Sequence, residues 1–166
     1  MSRLAVHIKS ALPVCFFSIV IPFTELEAQE RVSIVSAVSG LCLDVPNANQ
    51  NDNIPINQFS CDGSLEQTFI LEDRQDGYAS IVASHSGKCV DVPNGSLQDG
   101  MGLNQFTCDG SNEQRFRFIE FDDGTYSIIA KHSAKCLEVP GGSGKQNLQI
   151  VQNRCNDSPE QGFFFR

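Results

Sequence analysis

Residues 89–116 read CVDVPNGSLQDGMGLNQFTCDGSNEQRF, opening on Cys89, passing a second cysteine at Cys108 and ending on Gln114-Arg115-Phe116. The same pattern stands 47 residues earlier, from Cys42 to Phe69, and 47 residues later, from Cys136 to Phe163. Leu43-Asp44-Val45-Pro46, Val90-Asp91-Val92-Pro93 and Leu137-Glu138-Val139-Pro140 are in register. So are Ser33-Ile34-Val35, Ser80-Ile81-Val82 and Ser127-Ile128-Ile129, and Glu66-Gln67, Glu113-Gln114 and Glu160-Gln161. Three copies without insertion or deletion mark a fold assembled from one repeated supersecondary unit.

Each copy carries strand signals and no sustained helical period. Residues 78–83 and 125–130 are rich in β-branched and aromatic side chains and follow the turn pairs Asp76-Gly77 and Asp123-Gly124. Arg115-Phe116-Arg117-Phe118 alternates polar and apolar, as a strand with one wet face does. Four short strands in each of three copies give about twelve, a count that suits a closed or nearly closed all-β domain.

Of seven cysteines, Cys15 stands outside the repeat; the other six form two series, Cys42, Cys89, Cys136 and Cys61, Cys108, Cys155. Six cysteines allow fifteen pairings. The repeat favours the one that closes the same Asn/Asp/Gly-rich loop in every copy: Cys42–Cys61, Cys89–Cys108 and Cys136–Cys155. Each closure is worth roughly 3 kcal/mol through the unfolded chain. No CxxC pair is present, so zinc ligation is not expected and the cysteines read as structural.

The first residues read as a signal peptide. Arg3 and Lys9 precede a mostly apolar run, 11–23, which contains Pro13 and Pro22 and is too short to cross a bilayer as a helix. Leu26-Glu27-Ala28 suits a cleavage site, giving a leader at 1–28, a single domain at 29–166 and an expectation of secretion. Lipidation at Cys15 is disfavoured by the bulky Val14 before it. The net charge of −8, unchanged when the leader is removed, argues against nucleic acid and anionic membranes as partners and against membrane insertion.

The pattern Cys-Leu-Asp-Val, a loop, then Asn-Gln-Phe-x-Cys and Gln-x-Phe resembles the repeat of ricin-B-type lectins. Their mark is a Gln-x-Trp or Gln-x-Phe triplet in each of three repeats, here Gln67-Thr68-Phe69, Gln114-Arg115-Phe116 and Gln161-Gly162-Phe163. The resemblance spans about residue 30 to Arg166 and implies a β-trefoil that binds carbohydrate, with glycans or polysaccharides as partners and no cofactor. In that family an aspartate after the first cysteine accepts hydrogen bonds from two sugar hydroxyls, and an aromatic ring before the second cysteine stacks on the pyranose. Carried over by position, the first repeat offers Asp44, Asn57, Phe59 and Gln67, and the second Asp91, Asn104, Phe106 and Gln114.

Elementary chemistry suits those roles. A ring covering the C–H face of a galactose-like sugar removes ~50 Å² of apolar area from water, about 1 kcal/mol. Each hydroxyl bonded to a carboxylate adds roughly 1.5–3 kcal/mol before losses, and association entropy offsets much of it. Single-site affinity is then expected on the order of 0.1–10 mM, raised by two sites on one rigid domain. The third repeat departs: Glu138 replaces the aspartate and Asn153 stands where Phe59 and Phe106 stand, so its site is expected to be dead. A second departure affects all copies. Glu66, Glu113 and Glu160 occupy a position that is often asparagine in the family; their presence in the decayed copy favours a framework role, with a calcium bridge as the sharper alternative.

Plainer roles compete at each position. Phe59 and Phe106 could pack inward, Asp44 and Asp91 could cap turns, and His85 and His132 align with Val38, which favours packing over chemistry. Gly141-Gly142-Ser143-Gly144-Lys145 lacks the first glycine and the final Ser/Thr of a phosphate loop, and no nucleophile elbow or HExxH motif appears, so no catalytic residue is assigned and an enzyme is not expected. The runner-up function is a protein-binding trefoil without sugar binding, because one fold hosts several functions.

Overall fold

The computed structural model describes residues 30–166; the leader expected at 1–28 lies outside them. All secondary structure is strand or short 3₁₀ turn. The first repeat holds β1 (Arg31–Val32), β2 (Ile34–Ser36), β3 (Cys42–Asp44), β4 (Ile54–Pro55), β5 (Asn57–Phe59) and β6 (Phe69–Asp73). The second holds β7 (Ala79–Ala83), β8 (Cys89–Asp91), β9 (Met101–Gly102), β10 (Asn104–Phe106) and β11 (Phe116–Glu120). The third holds β12 (Tyr126–Ala130), β13 (Cys136–Glu138), β14 (Leu148–Gln149), β15 (Val151–Asn153) and β16 (Phe163–Phe165). Single residues interrupt four strands, at Ser33, Ile56, Leu103 and Ile150, so each repeat contributes four strands in effect, as the repeat predicts.

Two layers follow from the pairing, all antiparallel. β1/β2, β6, β7, β11, β12 and β16 pair in that order, and β16 returns to β2, closing a six-stranded barrel that leaves no free edge along this ring. The hairpins β3–β5, β8–β10 and β13–β15 cover one end of it. Together they make a β-trefoil.

The hairpins meet where their strands are interrupted. The Ile56 amide donates to the Leu103 carbonyl, Leu103 to Ile150 and Ile150 to Ile56, each at 2.9 Å. This ring lies on the pseudo-threefold axis and satisfies backbone groups buried beyond the reach of water. Around it the core repeats itself as Ile34/Ile81/Ile128, Leu43/Val90/Leu137, Val45/Val92/Val139 and Phe69/Phe116/Phe163, all fully buried. The motif phenylalanines therefore serve the core.

A second cyclic device ties each hairpin to the repeat before it. Gln58, Gln105 and Gln152 are fully buried. Gln105 Nε2 donates to the Asn49 and Asn51 carbonyls at 2.6 and 2.8 Å, and its Oε1 accepts from Ser86 Oγ at 2.9 Å. Gln152 does the same to Ser96 and Gln98, and Gln58 to Ser143 and Lys145. The disulfides Cys42–Cys61, Cys89–Cys108 and Cys136–Cys155 are formed, one per repeat.

Candidate functional site

Hairpin register decides which side chains meet. Across β8 and β10, Asp91 lies opposite Asn104 and Cys89 opposite Phe106; across β3 and β5, Asp44 lies opposite Asn57 and Cys42 opposite Phe59. The aspartates thus stand two residues from the phenylalanines on the same edge of each hairpin. Val-Pro after each aspartate turns the chain into a 3₁₀ turn, Pro46–Ala48 or Pro93–Gly95, whose Asn47 and Asn94 sit at φ 58° and 56°. Asparagine is among the residues that tolerate this left-handed backbone. A second 3₁₀ turn, Leu65–Gln67 or Asn112–Gln114, carries the motif glutamine beneath the aspartate.

Both aspartates are almost enclosed, Asp44 at 7% and Asp91 at 6% exposure, while Phe59 and Phe106 remain partly exposed. Gln67 and Gln114 are buried. Gln67 Nε2 donates to Asp44 Oδ2 at 3.2 Å and to the Ser60 carbonyl at 2.9 Å, and its Oε1 accepts the Asp62 amide at 3.0 Å. Gln114 makes the matching bonds to the Thr107 carbonyl and the Asp109 amide. These glutamines hold the loop and the aspartate from behind instead of lining the open face. Asn57 and Asn104 are similarly buried, at 8% and 6% exposure.

In the second repeat the residues enclose a shallow, open cleft of about 200 Å³ lined by Asn53, Asp91, Pro93, Asn94, Phe106, Asp109 and Glu113. Burial pushes the Asp91 carboxyl up to about 6; the Gln114 amide pulls it back, and Glu113 and Asp109 push it further up. Asp44 is raised for the same reasons, burial first. Glu113 plays two parts. Its carbonyl accepts the Val92 amide, as Glu66 and Glu160 accept Val45 and Val139, which is the framework role; its side chain reaches the cleft. Among the described residues no group of three or more His, Cys, Asp or Glu side chains is placed to hold a metal ion.

The third repeat has closed on itself. Glu138 Oε1 accepts from Asn153 Nδ2 at 2.6 Å, and Oε2 accepts from Gln161 Nε2 at 2.7 Å. Asn153 Oδ1 in turn accepts the Gly100 amide at 2.9 Å. Opposite Glu138 stands Val151 in place of Asn57 and Asn104. The Gln161 bond has its counterpart in the longer Gln67–Asp44 contact; the bond from Asn153 has none, because phenylalanine stands at that position in the other two repeats.

His85 and His132 are seam residues: their Nε2 atoms lie 3.1 and 3.0 Å from the Asn49 and Ser96 carbonyls of the preceding repeat. Gly141 and Gly142 lie in a 3₁₀ turn with left-handed backbone, not in a phosphate loop leading into a helix. Sequence reading passed over Asn53. It was legible only as a member of the series Asn53, Gly100, Asn147.

The profile of the family described as "Ricin-type beta-trefoil lectin domain" matches residues 30–163. No curated protein matches the chain. Among solved structures, the designed threefold-symmetric protein ThreeFoil is 34% identical, with 81% of this chain and 96% of that one covered and a TM-score of 0.80. The exo-β-1,3-galactanase 1,3Gal43A from Clostridium thermocellum is 32% identical at a TM-score of 0.79, over 81% of this chain. This chain spans only 29% of that enzyme's length. The C-half of an earthworm R-type lectin, solved in complex with GalNAc, shares the fold at a TM-score of 0.66 with 15% identity, over 82% of this chain and 98% of that one. The chain described here belongs to the ricin-type β-trefoil lectin family.

Proposed function

We propose that this chain is a secreted, non-enzymatic lectin that binds neutral terminal sugars of the galactose or N-acetylgalactosamine type at two shallow sites, Asp44/Phe59 and Asp91/Phe106. One observation carries this reading. In the first two repeats a nearly buried carboxylate stands beside a partly exposed ring, whereas the third repeat's carboxylate has both oxygens taken by its own amides. An acceptor held in a dry pocket with lone pairs to spare is a receptor for hydroxyl donors, and the adjacent ring covers the C–H face of a pyranose. Gln67 and Gln114 hold the carboxylates from behind, and Asn57 and Asn104 stand opposite them across each hairpin. The galactanase and the GalNAc-bound lectin lend support to galactose-type ligands.

Charge narrows the ligand further. The second cleft is lined by three carboxylates and no cationic side chain. Sialylated or uronic sugars would bring a fourth negative charge into a partly desolvated space. The paired acids bind hydroxyls and do not cleave bonds.

A glycan array probed with residues 29–166 tests this, beside a folded Phe59→Ala/Phe106→Ala variant. Binding to neutral galactosides that vanishes in the variant is the expected result. No glycan binding by the folded unsubstituted chain would sink it and leave a protein-binding trefoil.

A further inference from the structure

We infer that each working site is completed by the repeat before it, through an asparagine on the neighbouring loop: Asn53 for the Asp91 site and Asn147 for the Asp44 site. This rests on the sugar-binding reading above and adds a specificity-determining residue to it.

The second cleft is lined by six residues of its own repeat and one outsider, Asn53, from the first repeat. Asn53 is exposed, sits at φ 62°, and its amide donates to the Gln105 carbonyl at 2.9 Å, which fixes the turn against β10. Its Oδ1 accepts from Asn104 Nδ2 at 3.3 Å. Asn104 is 6% exposed and its own Oδ1 has no partner among the described residues, so its bond to Asn53 orients that side chain. Asn53 Nδ2, which makes no hydrogen bond among the described residues, is then a donor in a cleft whose polar side chains are, Asn94 apart, carboxylate acceptors. Asp91, Asp109 and Glu113 can receive sugar hydroxyls but cannot satisfy a sugar's ring oxygen or an acetamido carbonyl; an amide N–H₂ can.

The threefold repeat supplies an independent check. Asn147 has φ 60° and donates its amide to the Gln58 carbonyl at 2.9 Å, as Asn53 does to Gln105. Gln149 pairs with Asn57 where Pro55 pairs with Asn104, so the Asn147 turn approaches the first site in the same register. At the third, closed site the corresponding residue is Gly100, whose amide donates to the Gln152 carbonyl in the same way. The loop keeps its backbone in all three copies; the side chain is present where the neighbouring site is open and missing where it is closed. The third repeat, without a site of its own, thereby retains a part in the first.

Single-site backgrounds test this, with N-acetylgalactosamine and lactose as probes followed by NMR titration. In a Phe59→Ala chain, which leaves the second site, Asn53→Gly should weaken binding at least threefold. In a Phe106→Ala chain, which leaves the first, Asn147→Gly should do the same. Glycine accepts the left-handed backbone, so folding should be retained. Asn53→Asp keeps the acceptor toward Asn104, removes the N–H₂ group and adds a fourth carboxylate to the cleft; it should lose at least as much affinity as Asn53→Gly does. Site-selective loss supports the inference. Binding that is unchanged in these variants overturns it alone, and no binding in either single-site background before the asparagine is changed overturns it together with the sugar-binding reading.

Discussion

The second and third repeats share a backbone and differ in what their hairpins hold. Both keep the disulfide, the buried motif phenylalanine, the buried Gln105 or Gln152 clip and the carbonyl that caps Val92 or Val139. The rim differs, with Asp91, Asn104 and Phe106 on one side and Glu138, Val151 and Asn153 on the other. The groups that close the barrel thus stand at different positions of the unit from the groups proposed to bind sugar. A repeat can change its rim without loosening the barrel, because the groups that close the barrel lie beneath it.

That contrast can be broken most forcefully at the rim of the first two repeats. Phe59→Ala with Phe106→Ala should weaken each site about fivefold, and about thirtyfold on a multivalent galactoside surface where the two losses multiply, while the thermal midpoint, followed by circular dichroism, moves by only a few degrees. A large drop in the midpoint would mean the rings belong to the core after all.

Acid should act next most strongly. With its carboxyl held near 6, Asp91 is mostly charged at pH 8 and mostly protonated at pH 5. A protonated carboxyl accepts hydroxyls poorly, so second-site affinity should fall about tenfold between those pH values in titrations of the Phe59→Ala chain. The same shift has the opposite sign for stability. The folded state holds the proton more tightly than the unfolded chain, so Asp91 destabilises the fold increasingly as pH rises from about 4 to 6. Asp91→Asn should therefore end binding at the second site yet stabilise the protein at pH 7 by on the order of 1 kcal/mol, seen in urea unfolding.

Rebuilding the closed repeat sharpens the comparison from the other direction. Glu138→Asp, Val151→Asn and Asn153→Phe together should open a weak third site, and adding Gly100→Asn should strengthen it severalfold, read as new shifts around residue 153. The smallest effect is expected at the seams. His132→Val, which copies Val38 of the first repeat, should cost about 1 kcal/mol or less and leave sugar affinity unchanged.

Much of this was legible in the sequence, and the limits have physical causes. The 47-residue register carried the strand count and the disulfides, because each disulfide closes a loop inside one copy and each copy brings the same strands. The departure of the third repeat was visible in Glu138 and Asn153, but not the geometry by which Asn153 and Gln161 reach both carboxylate oxygens. Gln58, Gln105 and Gln152 repeat plainly, yet a buried amide could not be told from a rim amide until its partners in the preceding repeat were known. The Ile56–Leu103–Ile150 ring and Asn53 were hidden for the same reason. Each acts across a seam, where spacing along the chain says nothing about neighbours in space.

The number and place of the sugar sites can be read in one titration. Lactose added to the isotopically labelled protein at pH 8 should shift the amides around Phe59 and Phe106 as two saturable sites and leave those around Asn153 unmoved. Equal shifts around Asn153, or no saturable shift at either phenylalanine while the chain binds lactose elsewhere, would contradict the assignment of the open rims as the binding sites.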